Sequence, residues 1–92
     1  YDTGESTYRK TGRGRFVFDA GINIQQVAEV IGAEIPSGNY ETLGGFLLDK
    51  LGRIPKKGES LRYGNVQYVI QDTEPKRIKE VMAVLPDDVE IT

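Results

Sequence analysis

The chain contains no cysteine, no histidine and no tryptophan in 92 residues. Without cysteine there is no disulfide and no thiolate nucleophile. Without histidine there is no imidazole base, and the two absences together remove the usual zinc ligands. No apolar run approaches the roughly 20 residues that span a bilayer, and no signal-peptide pattern opens the sequence. Excess positive charge is lacking too: 12 Lys and Arg stand against 14 Asp and Glu, a net charge of −2, with a pI near 5.1. That balance argues against a general nucleic-acid or anionic-membrane binder, which is normally basic. What is present, 38% hydrophobic and 28% charged residues, suits one small globular domain with one modest core.

The most informative stretch is 39–58, NYETLGGFLLDKLGRIPKKG. Thr42 is placed to cap a helix. Leu43, Phe46, Leu47 and Leu51 follow at helical spacing on one face, with Asp49 and Lys50 turned elsewhere. Gly52 supplies a left-handed stop and Pro55 keeps the helix from resuming. Two glycines in the first turn, Gly44 and Gly45, cost roughly 1–2 kcal/mol relative to alanine. Close approach of another backbone is the expected reason for them.

Elsewhere, residues 1–14 carry no hydrophobic period and read as a linker or boundary tail. A reading of Gly12-Arg13-Gly14-Arg15 as an RNA contact with Tyr8 stacking is set aside, because one such unit in an acidic chain is a weak signal. Residues 15–20 predict a strand, with Phe16 and Phe18 on one face. Asn23 opens a helix in which Ile24, Val27, Ala28 and Ile31 are apolar, and Gly32 ends it. Residues 60–63 and 66–72 predict a hairpin turning at Gly64-Asn65. Residues 73–76 form a turn, and 77–84 a last strand in which the apolar face changes between Ile78 and Val81, the mark of a bulge. The predicted fold is α+β: a single small domain with two helices on one side of a mostly antiparallel sheet of about four strands, over 15–86. Residues 87–92 form an acidic tail.

No catalytic constellation is visible, and the chain is read as non-enzymatic. The candidate sites are therefore binding sites. Thr42, Gly44 and Gly45 form a weak anion-site candidate, since a helix N-terminus offers free amides. Their spacing matches neither GxxxxGK[ST] nor GxGxxG, so helix-on-sheet packing is the preferred reading. Asp72 and Glu74 are weak metal candidates, with Asp87, Asp88 and Glu90 in the tail; none matches EF-hand spacing. Arg53 is expected to meet carbonyls at the helix end, and Arg77 to pair with Asp72 or Glu74. Lys56, Lys57, Arg62 and Arg77 are the candidate interaction residues.

The run TLGGFLLDKLGRIPKKGE, a following hairpin and a closing RIKEV resemble the transporter-associated domain of the CorC/HlyC family. The matching positions are Tyr40, Thr42, Leu43, Gly44, Gly45, Leu51, Gly52, Arg53, Ile54, Pro55, Gly58, Arg77, Ile78 and Val81. The resemblance implies a fold similar to a subdomain of FAD-binding (PCMH-type) proteins, without a cofactor of its own. It implies a soluble piece of a membrane protein, on the cytoplasmic side of the plasma membrane, behind a membrane region and a pair of CBS domains. It also implies a regulatory role in magnesium and cobalt efflux or hemolysin-like proteins. The expected partners are the CBS pair and membrane region of the same parent chain, or a second copy, and not nucleic acid. The alternative is a nucleotide or flavin module using the amides of 42–45.

Overall fold

The computed structural model describes residues 8–36 and 38–86. Five strands and two helices follow in the order β1 (Tyr8–Gly12), β2 (Arg15–Asp19), α1 (Ile24–Ile31), α2 (Leu43–Leu51), β3 (Ser60–Tyr63), β4 (Val66–Glu74) and β5 (Arg77–Val84). They form one sheet in the order β1-β2-β5-β4-β3, antiparallel throughout. The last strand in the chain thus lies at the centre, between β2 and β4, and closes the sheet.

Both helices begin and end as their sequences dictate. Asn23 accepts the amide of Gln25 at the start of α1, and Gly32 at φ 68° ends it. Thr42 accepts the amide of Gly45 at 3.1 Å at the start of α2, and Gly52 at φ 79° ends it. Ile24, Val27 and Ile31 of α1 and Leu43, Phe46 and Leu47 of α2 are buried. They meet Phe18, Val66, Tyr68, Ile70, Ile78, Val81 and Ala83 from one face of the sheet. Phe46 is the hub of the aromatic packing, edge-on to Tyr40, Tyr63 and Tyr68 at centroid distances of 5.3–5.9 Å, the geometry that aromatic quadrupoles favour.

Gly44 explains the paired glycines. Its amide donates to the Ala20 carbonyl at 2.8 Å. A Cβ there would lie 3.1 Å from the Ala20 Cβ and 3.2 Å from that same carbonyl oxygen. A Cβ on Gly45 would come within 3.1 Å of the Tyr40 Cβ. The bulge expected in the last strand is present: the β4–β5 register shifts between Ile70 and Asp72 and again between Asp72 and Thr73. Ile78 and Val81, three residues apart, are consequently both buried.

Two expectations need correction. Residues 8–12, read as part of a linker, are strand β1, so the sheet has one strand more than expected. The strand escaped notice because it lies at an edge and three of its five residues are Arg9, Lys10 and Thr11. It is held by its ladder to β2 and by Tyr8 against Phe18, with ring centroids 5.6 Å apart. Basic residues on an edge strand also discourage unwanted strand pairing. Strand β4 runs on to Glu74, which leaves only Pro75 and Lys76 for the turn. The remainder of the predicted linker, residues 1–7, and the acidic tail 87–92 lie outside the described residues.

Two measurements follow from this packing. Gly44→Ala adds helix propensity of about 0.5–1 kcal/mol, but the new methyl meets a backbone carbonyl that is itself hydrogen-bonded. Overpacking of this kind costs typically ~1–3 kcal/mol, so urea denaturation should show a net loss of stability. Tyr68 is 1% exposed, and burial, with Tyr63 adding, pushes its phenol up to about 12. The folded protein therefore holds this proton more tightly than the unfolded chain. The contribution is fully present below pH 10, the unfolded value, and is lost as pH rises from 10 towards 12. Denaturation at pH 8, 10 and 11 should show this alkaline loss in the parent and not in Tyr68→Phe.

Candidate functional site

The two faces of the sheet differ in kind. One is covered by α1 and α2. No described element covers the other, and side-chain alternation with the strand register defines what it displays. One row across it reads Arg15, Val84, Gln67, Arg62 from β2 to β3. The next, through the middle, reads Arg9, Val17, Met82, Val69, Ser60. The third reads Asp19, Glu80, Asp72. An apolar band therefore runs between a basic end and an acidic end: Val17, itself only 6% exposed, and the half-buried Met82, Val69 and Val84. None of these four belongs to the helix-side core. Arg9 lies 4.0 Å from Glu80, which fixes both on this face.

The sequence-based candidates are not brought together. Arg62 sits at the basic end, level with Gln67. Arg77 is at the opposite end, its Nε 2.8 Å from Glu74; that hydrogen bond and charge hold its guanidinium pKa above the ordinary value. Lys56 and Lys57 are exposed on the turn leading into β3. Arg53 does not reach helix carbonyls as expected. Its guanidinium meets the Glu59 carboxylate at 3.1 Å, because the chain turns at the buried Pro55 and brings Glu59 back alongside.

The amides at the start of α2 are already committed. Leu43 N–H donates to the Ile22 carbonyl at 3.0 Å, Gly44 N–H to Ala20, and Gly45 N–H to the Thr42 hydroxyl. A depression of about 180 Å³ lies beside Thr42, Gly44, Gly45, Lys76 and Arg77, but its floor has no free donor from these three amides for a phosphate. Asp72 and Glu74 have cations close by: Lys79 Nζ lies 4.0 Å from Asp72 and 3.9 Å from Glu74. Among the described residues no three acidic, histidine or cysteine side chains converge on one point. The larger hollow, about 1090 Å³, is an open apolar trough between the end of α1, the Gly64-Asn65 turn and Leu85. Its lining offers one charged side chain, Glu34, and no nucleophile–base pair. Sequence reasoning missed the apolar band, because Val17, Val69 and Met82 come from three separate strands and each reads alone as an ordinary strand residue.

The model of the transporter-associated domain, CorC_HlyC, matches residues 9–87. The chain belongs to this family. The polyamine export protein of Salmonella typhimurium is 33% identical over 75 residues, covering 79% of this chain and 17% of that protein. The magnesium and cobalt efflux protein CorC of Escherichia coli K12 is 25% identical over 81 residues, covering 88% of this chain and 28% of that protein. The chain thus spans well under a third of these relatives. Among solved structures, the CorC-associated region from Neisseria meningitidis MC58 superposes with a TM-score of 0.83 at 23% identity, over 88% of this chain and all of that one. A domain from a Xylella fastidiosa Temecula1 hemolysin, in complex with Mg++ and Mn++, superposes with a TM-score of 0.79 at 30% identity, over 88% of this chain and 99% of that one. The family is not a catalytic one. Among the described residues, no helix is long and apolar enough to cross a membrane.

If the start of α2 is a packing joint, Thr42→Ala should cost ~1 kcal/mol of stability, the usual value of a lost cap. Phosphate and AMP should bind neither the parent nor the variant saturably, as judged by calorimetric titration.

Proposed function

We propose that this chain is the accessory, non-catalytic module of a membrane transport protein, and that it works by contact. The contact surface is the helix-free face of the sheet, whose band of half-buried Met82, Val69 and Val84 beside the buried Val17 is the observation that carries the reading. Apolar side chains shared among three adjacent strands, with charged ends, are the composition of a contact surface: an apolar centre within a polar rim. The relatives export polyamines or efflux magnesium and cobalt, so we take the transported solute to be a small cation. Pairing of the family with CBS domains and a membrane region makes those parts of a parent chain the transporter proper. By this reading the chain sits on the cytoplasmic side of the membrane. The module biases the transporter between conformations, which it does only by binding one of them better than the other.

A nucleotide or flavin module is not favoured, since the amides it needs are spent within the fold. Nor do we transfer the metal of the Xylella domain to Asp72 and Glu74, which lie against Lys79 and Arg77. The test is made in the full parent protein, with Val69→Asp and Met82→Asp on the open face. Export of magnesium, cobalt and a polyamine should change several-fold, or lose its response to regulation, at unchanged protein level. Export and regulation indistinguishable from the parent would refute the reading.

A further inference from the structure

We infer that the chain's own segment 87–92, DDVEIT, seats itself along the open trough at the end of the sheet, with Val89 and Ile91 in the trough and Asp88 and Glu90 turned towards Arg15 and Arg62. This contact within one chain stands apart from the docking reading above. The segment lies outside the described residues, and the family model ends at residue 87, so the seat is a property of this chain and is not implied by the shared fold. The chain already arrives at the trough: Leu85 and Pro86 form part of its lining, and the Leu85 amide is tied to the Gly14 carbonyl at 2.7 Å. Across from them stand the Gly64-Asn65 turn and the end of α1. Strand β3 lies two strand spacings from β5, roughly 10 Å, and six extended residues reach roughly 20 Å. The segment is long enough to cross.

Side-chain parity sets which way it faces. Ala83 of β5 is buried beneath the helices, Val84 lies on the open face, and Leu85 packs against the core again. Carried on in extended form, this alternation puts Val89 and Ile91 on the trough side with Leu85, and Asp88 and Glu90 on the side of Val84. Asp87 is the exception, at the rim beside Pro86. The trough suits the first pair, being lined by Ile31, Ala33, Ile35, Tyr63 and Val66. Its one charged side chain, Glu34, repels acids and so reinforces the orientation. The second pair is suited by the row that holds Val84, which also holds Arg15 and Arg62. Among the described residues Arg9, Arg53, Arg77 and Lys79 each lie within 4.0 Å of a carboxylate, and Arg15 and Arg62 belong to none of these pairs. All 12 Lys and Arg fall within residues 8–86, but five of the 14 acids, Asp2, Glu5, Asp87, Asp88 and Glu90, fall outside. Residues 8–86 therefore carry a net charge of 12 − 9 = +3, and 87–92, joined to their basic end, carry −3. Seated, the segment covers the apolar trough and neutralises that end of the open face. It thereby competes with any anionic partner for the two arginines.

The test uses the whole 92-residue chain. Because it has no cysteine, Thr92→Cys accepts a single nitroxide spin label just past the two apolar anchors. In NMR spectra the label should broaden the amide signals of Ala33, Ile35 and Asn65 and leave those of Asp72 and Lys76, at the far end of the sheet, sharp. Adding Val89→Asp and Ile91→Asp should abolish that contrast. Asp88→Lys with Glu90→Lys should weaken it several-fold, and Arg15→Glu with Arg62→Glu in the same background should restore it, which a merely apolar seat does not predict. The dye ANS, an anionic aromatic that reports exposed apolar surface, should fluoresce several-fold more with V89D/I91D than with the parent, near-UV circular dichroism being the same in both. Signals broadened evenly over the molecule, a contrast that survives V89D/I91D, or a charge swap that restores nothing overturns the proposal.

Discussion

The amide of Gly44 and the carbonyl of Ala20 lie 2.8 Å apart, and this contact sets how α2 meets the sheet. It is one of three short bonds between the approach to α1 and the start of α2. Leu43 N–H donates to Ile22, and Ile24 N–H donates to Glu41 at 2.8 Å. These bonds consume the polar groups of a helix end that would otherwise need water. They bring two backbones so close that a Cβ at position 44 would lie 3.1–3.2 Å from Ala20 and force it to shift. With α2 fixed there, Phe46 and Leu47 point into the sheet and the aromatic cluster of Tyr40, Tyr63 and Tyr68 assembles round Phe46. The cost of two helical glycines is offset by that approach.

A sheet of five strands has two faces, and two short helices cover one of them. The buried face took most of the large apolar side chains. The open face kept a narrower band, the half-buried Met82, Val69 and Val84 beside the buried Val17. The central place of β5 matters here, because it carries Met82 between Val17 and Val69 and Glu80 between Asp19 and Asp72. The chain therefore completes its core and its outer surface with the same strand.

Much was legible in the residues themselves. Thr42, Gly52 and Pro55 punctuate a helix in a way that propensity alone interprets, and Asn23 and Gly32 do the same for the first helix. The alternation of Val66, Tyr68 and Ile70 gave β4 its buried face, and the three-residue step from Ile78 to Val81 announced a bulge. Strand β1 was not legible. Arg9, Lys10 and Thr11 show no apolar period, since an edge strand owes its conformation to the ladder beside it and little to its own burial. Arg53 was assigned to the helix end by local logic, whereas the turn through Pro55 returned Glu59 to within 3.1 Å of it.

The sequence by itself determined both helices with their ends, four of the five strands and the family, because caps, glycine stops and apolar periods act over a few residues and need no distant partner. Only the tertiary structure decided which apolar residues share a surface and which charges oppose one another along it. Strand order carries that information. Val17, Met82 and Val69 are separated by up to 65 positions in the chain, and nothing short of the closing of β5 between β2 and β4 makes them neighbours.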